Sequence, residues 1–227
     1  MTAFPRVKIC CICSPKEAAL AIKYGAVALG LVGPMPSGPG IISNAQIATI
    51  VETIPPPIAT FLLTSETSVQ GIIAHHQQVQ TNAIQLVDAL QEGTYAELRK
   101  ALPAIKLVQV IHVQGPASIE EAISIYKEVD AILLDSGNPN LSIKELGGTG
   151  RTHNWQISRA IKEAVDVPVF LAGGLRSDNV QAAIEAVQPF GVDLCSGVRT
   201  NGALDEVKLK AFFEQVADVR RIRNPFS

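Results

Sequence analysis

With 227 residues, 47% of them hydrophobic, the chain is long enough to bury a full core as one large domain. Nineteen basic against 21 acidic residues leave a formal charge of −2 and no basic run, which removes any electrostatic case for nucleic acid or an anionic membrane. No apolar stretch approaches the roughly 18 residues of a membrane span, no secretory leader is recognisable, and three of the four cysteines crowd into residues 10–13 rather than forming a spaced disulfide framework; the expectation is a cytoplasmic protein in a reducing compartment.

Short β-rich runs alternate with helix-like segments along the chain. Val7–Cys10 is followed by a helix over Lys16–Tyr24, Val27–Val32 by Asn44–Glu52, Ile58–Leu63 by Ser68–His76, and Ala83–Leu86 by Tyr95–Ala101. The second half repeats the pattern: Leu107–Val113 with Ser118–Lys127, Ala131–Leu134 with Trp155–Val165, Val169–Ala172 with Ser177–Val187, and Gly191–Leu194 with Asp205–Val216. Eight βα units without a linker or low-complexity break predict an α/β fold, a single (β/α)8 TIM barrel over residues 1–227. A doubly wound open sheet, the rival, closes with fewer repeats. Sites on such barrels lie where strands end at their C-terminal side, and phosphate is held by the loops after strands seven and eight.

The first strand ends at Cys10, with Lys8 two residues earlier on the same face. A cation there would favour the thiolate, although a buried lysine neutralised by a barrel carboxylate is equally consistent with the spacing. Cys11 points the other way and reads as a small packed hydrophobe. Cys10 and Cys13 form a Cys-x-x-Cys, but no second pair at metal spacing exists and Cys195 stands alone, so neither metal nor disulfide chemistry is favoured. The sixth strand ends at Asp135, where desolvation would raise a carboxyl's pKa towards that of a proton donor; a loop-tying aspartate is the alternative.

Three glycine-bearing turns follow. Gly147–Thr152 (GGTGRT) comes after the sixth strand, Gly173-Gly174 after the seventh, and Ser196-Gly197 after the eighth, with Ser177 or Asp178 as the cap of the next helix. Glycines let backbone N–H groups approach an anion closely, so the last two turns mark a phosphate site.

Together VKIC, YGAVALG, IQL, GGTGRTHNW, LAGGLRSDNV and GVDLCSGV make this sequence similar to the phosphoribosylanthranilate isomerases of tryptophan biosynthesis, over nearly the whole chain. The resemblance implies a (β/α)8 barrel that converts an aminoaldose phosphate to an aminoketose phosphate without cofactor or metal. It implies Cys10 as general base, Asp135 as general acid, Gly173, Gly174, Ser196 and Gly197 as phosphate positions, and an Asp193 held near the site. Lys8, Gln85, Gly148 and Arg199 complete the expected substrate contacts. The acid would protonate the ring oxygen to open the sugar to an imine, and the base would take the C2 proton to give an enolamine that settles to the ketone. The expected partner is a phosphorylated sugar amine, and the expected state a monomer or homodimer.

Several positions depart from the family pattern. Cys11 replaces a usual glycine, Val87 a histidine, Gln109 a lysine, and Arg199 a glutamate. Gly40 occupies the slot of an arginine that pairs the anthranilate carboxylate, a contact worth on the order of a hundredfold in affinity. Restoring arginine at Gly40 would therefore tighten an anthranilate-bearing ligand, and Arg199 would serve the phosphate. Two other readings stay open here: a paralogue with the same acid, base and phosphate sites acting on another phosphoribosyl-amine, and a non-catalytic sugar-phosphate binding barrel. His75 and His76 read as solvated, His112 as a hydrogen-bonded core histidine, and Trp155 as a helix start capped by Asn154.

Overall fold

The computed structural model describes residues 5–138 and 150–223. Strands β1 (Arg6–Ile9), β2 (Ala28–Val32), β3 (Ala59–Thr64), β4 (Ala83–Leu86), β5 (Lys106–His112), β6 (Ala131–Asp135), β7 (Val169–Leu171) and β8 (Gly191–Leu194) pair in chain order, and β8 closes on β1. Every pairing is parallel. Helices α1 (Pro15–Tyr24), α2 (Asn44–Glu52), α3 (Val69–Val79), α4 (Tyr95–Ala101), α5 (Ala117–Ile125), α6 (Trp155–Ala164), α7 (Val180–Val187) and α8 (Glu206–Arg223) follow the strands one by one. This is the predicted (β/α)8 barrel, with each strand end within one residue of its expected place.

Strand alternation divides the core in two. Ile9, Leu29, Leu31, Leu62, Ile84, Ile132, Leu134, Leu171 and Val192 face outward and pack against the helices. Ala28, Phe61, Ala83, Val108, Val110, Ala131, Leu133 and Phe170 fill the barrel, where Phe61 and Phe190 each meet Phe170 edge to face. Strands apolar on both faces are what a helix-covered parallel barrel requires.

Several helix starts carry side-chain caps. Ser14 accepts from the Glu17 amide at α1, Ser43 forms a capping box with Gln46 at α2, and Asn154 accepts from the Gln156 amide just before Trp155 at α6. At α7 the expectation fails: neither Ser177 nor Asp178 caps the helix. Asn179 stands at that position, accepting from the Arg176 amide and donating to the Gly174 carbonyl, so its side chain braces the turn after β7 instead.

His75 and His76 are also corrected. Both are buried on α3: His75 hydrogen-bonds Thr64 Oγ1 at 2.8 Å and Asn44 Oδ1 at 3.0 Å, and His76 Nε2 donates to the Thr81 carbonyl. The neighbouring glutamines made the two histidines read as solvated, whereas they lie on the helix face that packs inward, towards β3. His112 is the buried, bonded histidine expected, donating Nε2–H to the Val87 carbonyl. After β8 a hairpin of β9 (Arg199–Thr200) and β10 (Ala203–Leu204) turns through Asn201-Gly202, both at positive φ (51° and 80°), the conformation this dipeptide favours. Among the described residues no helix is long and apolar enough to cross a membrane.

Candidate active site

A cavity opens at the C-terminal end of the barrel. Cys10, Asp135, Gln85 and Asp193 line it together with Gly150, Gly173, Gly174, Cys195 and Ser196, so residues from β1, β4, β6 and β8 and the turns after β6, β7 and β8 meet in one place. Across it lie Val32, Leu63, Val87 and Met35, an apolar wall. No lysine, arginine or histidine is among the described lining residues.

Cys10 continues β1, its amide bonded to the Leu194 carbonyl of β8 at 2.9 Å. Two residues earlier, Lys8 is fully buried and donates to Asp193 Oδ2 at 2.8 Å, across the β1–β8 pairing that sets these residues side by side. Burial opposes the Lys8 ammonium, but the charge and hydrogen bond of Asp193, with the other acidic groups nearby, outweigh it and its pKa rises. Burial pushes Asp193 up against the pull of Lys8. The lysine is thus committed to a carboxylate and is not a thiolate-forming cation alone: burial drives the Cys10 thiol up to about 11, with Lys8 only partly offsetting it. In the free protein Cys10 is a thiol at neutral pH.

Asp135 ends β6 with its carboxyl in the cavity and its Oδ1 accepting from the Ser136 amide at 2.7 Å. Burial raises its pKa, opposed by the Ser136 amide and by His112, its register partner on β5. A buried carboxyl shifted upward can hold a proton to give. Gln85 Oε1 and Asp193 Oδ1 are buried without a hydrogen-bond partner among the described residues, two unsatisfied acceptors on residues that line the cavity. Gln109, by contrast, faces away from the cavity and bonds Tyr95 and backbone carbonyls.

The glycine turns divide their work. Gly173 and Gly174 both hold positive φ (81° and 60°), and a Cβ on Gly174 would lie 2.8 Å from the Arg151 carbonyl oxygen and the Thr152 nitrogen, so the turns after β6 and β7 touch through it. Ser196 lines the cavity and opens a short 3-10 turn over Ser196–Val198. Gly197 does not line the cavity; it lies against the Leu175 carbonyl, where a side chain would collide. Gly148 lies outside the described residues.

Three sequence expectations are corrected. Cys11 is buried and packed as expected but is not an inert side chain, and Cys195 is not alone: they form a disulfide across 184 residues. The Cys10–Cys13 pair, which the sequence did not favour, does not form. Cys10 is free in the cavity, and Cys13 donates its thiol to Glu17 Oε2 at 3.1 Å. Cysteines distant in sequence but on adjacent strand ends cannot be matched by spacing alone. Arg199 does not reach the phosphate turns. It binds Glu17 at 2.9 Å, the Gly202 carbonyl at 2.7 Å and the Cys11 carbonyl, tying α1 to the hairpin after β8. Gly40, held at φ 74°, leaves no room for arginine: a Cβ there would collide with Cβ of Cys11.

One site residue escaped sequence reasoning. Gly30 on β2 faces Cys10, and a Cβ there would come within 2.7 Å of Cys10 Sγ and 3.0 Å of Lys8 Nζ. A glycine inside a strand run was the available signal.

The fold and site define a (β/α)8 barrel whose cavity pairs a thiol with a carboxyl between glycine turns. The family model for N-(5′-phosphoribosyl)anthranilate (PRA) isomerase matches residues 7–215. The isomerase of Methanocella arvoryzae is 33% identical over 212 residues, covering 93% of this chain and 97% of its own. That of Nostoc punctiforme is 34% identical over 213 residues, covering 93% and 98%. Among solved structures, the Thermotoga maritima enzyme aligns with a TM-score of 0.78 at 28% identity, covering 94% of this chain and 99% of its own. A phosphoribosylanthranilate isomerase bound to reduced 1-(o-carboxyphenylamino)-1-deoxyribulose 5-phosphate aligns at 0.75 and 26%, covering 94% and 99%. The chain belongs to the N-(5′-phosphoribosyl)anthranilate isomerase family.

Proposed function

We propose that this barrel catalyses the Amadori rearrangement of N-(5′-phosphoribosyl)anthranilate to the carboxyphenylamino-deoxyribulose phosphate, a step of tryptophan biosynthesis. The observation that carries the reading is that Cys10 and Asp135, from strands on different sides of the barrel, face one cavity bordered by the turns after β7 and β8.

In the proposed mechanism Asp135, whose pKa burial raises, gives its proton to the ring oxygen and the sugar opens to an imine. Cys10, as thiolate, takes the C2 proton, and the enolamine settles to the ketone. The Gly173-Gly174 turn and Ser196 hold the phosphate, which supplies orientation rather than chemistry. Gln85 and Asp193 accept from sugar hydroxyls, and the wall of Val32, Met35, Leu63 and Val87 receives the aromatic ring. The Thermotoga maritima relative is described as dimeric. For this chain we read one barrel domain working as a monomer or homodimer, with a phosphorylated sugar amine as its small-molecule partner; the Cys11–Cys195 disulfide counts against the reducing compartment expected from the sequence.

Complementation tests the activity. Expression in a strain lacking its phosphoribosylanthranilate isomerase should restore growth without tryptophan. Failure by a protein that is folded and abundant in that strain would overturn the assignment.

A further inference from the structure

We propose that Cys11 and Cys195 are positioning residues for this reaction: their disulfide sets the distance between the proton-transferring thiol and the phosphate-binding turn. The inference rests on the isomerase reading above and adds to it a part that the chemistry itself does not name.

The β1–β8 ladder ends at the hydrogen bond from the Cys10 amide to the Leu194 carbonyl. The next residues on either side are Cys11 and Cys195, and the covalent bond takes the place of the next rung, with Cα atoms 5.8 Å apart. Cys11 directly follows Cys10, and Cys195 directly precedes Ser196. The link therefore joins the two segments that must grip opposite parts of one ligand, and both cysteines form part of the cavity wall.

Cys11 is fixed from three directions. It adopts φ 62°, a left-handed conformation that a side chain rarely takes. Its carbonyl accepts from Arg199, itself anchored by Glu17 and Gly202. Its Cβ occupies the space beside Gly40, bracing the loop after β2. A residue held in an unfavourable backbone conformation at a site, and bonded at both its side chain and its carbonyl, is what a fixed geometry requires. Displacement by about 1 Å at such a site can cost on the order of a hundredfold in rate.

A dithiol tests this. It opens the S–S bond, leaving thiols on Cys11 and Cys195 while the dithiol becomes a cyclic disulfide. The unreduced, denatured protein should titrate two thiols of its four cysteines. Reduction of the folded enzyme should lower kcat at least tenfold and weaken binding of reduced 1-(o-carboxyphenylamino)-1-deoxyribulose 5-phosphate severalfold, measured below the melting temperature of the reduced protein. Reoxidation should restore both, and the double substitution Cys11→Ala, Cys195→Ala should reproduce the reduced values. Titration of four thiols would overturn the proposal. So would kcat and analogue affinity within twofold of the oxidised enzyme, whatever happens to the melting temperature, because a purely structural bond moves only the latter. Oxidised wild type that neither turns over nor binds the analogue would instead overturn the isomerase reading, and this proposal with it.

Discussion

Cys10 sits where two physical demands conflict. A base at the barrel mouth must be shielded from bulk water, yet that burial lifts its pKa to about 11. The active pairing is thiolate with protonated Asp135, while the free protein between the two pKa values holds mainly thiol with carboxylate. The populations of both required forms then change oppositely with pH, and kcat/KM is level across that window. We expect it to rise through the Asp135 pKa, stay flat, and fall only above about 11; an alkaline limb near 9, the ordinary thiol value, would contradict the burial argument. Gly30 belongs to the same balance. Gly30→Ala would push a methyl group into Cys10 Sγ and Lys8 Nζ, and kcat should fall about tenfold or more with a smaller change in KM, measured by steady-state turnover. Cys10 and Asp135 were legible because each closes an apolar run at a strand end. Gly30 was not, since its reason is a neighbouring strand.

At the scale of turns and loops, one substitution is understood only beside another. Gly40 looked like a lost arginine; beside Cys11 it is the residue that a packed, cross-linked side chain leaves room for. Gly40→Arg should therefore fail to tighten product-analogue binding and should destabilise the fold by about 2 kcal/mol or more, through collision with Cys11 and the positive φ. Denaturant unfolding and calorimetric titration would read both effects, and tighter binding at unchanged stability would contradict this account. The Cys11–Cys195 bond, the Arg199–Glu17 pair and the buried face of α3 were illegible for one shared reason: each depends on which elements become neighbours. Local signals fared better. Ser14, Ser43 and Asn154 cap as their residue types suggest, whereas Asn179 was drawn into the turn beside Gly174 by tertiary contact.

For the whole molecule, eight alternations of strand and helix sufficed to anticipate the barrel, because a closed parallel sheet sheathed by helices is the architecture that buries so many apolar strands on both faces. The seam is where this barrel departs from an apolar interior. Lys8 and Asp193 are buried face to face across β1 and β8, each tolerable only because the other is present. Lys8→Met would leave Asp193 without its partner and should cost about 3–5 kcal/mol in denaturant unfolding, most of it recovered if Asp193 is replaced by an apolar residue as well. A loss below about 1 kcal/mol would mean that the pair does not hold the seam. One sulfur and one carboxyl group acting on opposite sides of a single bound sugar must both show in steady-state turnover of phosphoribosylanthranilate by Cys10→Ser and Asp135→Asn, each checked for affinity to the reduced product analogue. We predict turnover lower by about 10²–10⁴-fold in each, with affinity within a few-fold of wild type; turnover within tenfold of wild type in either variant would contradict the account.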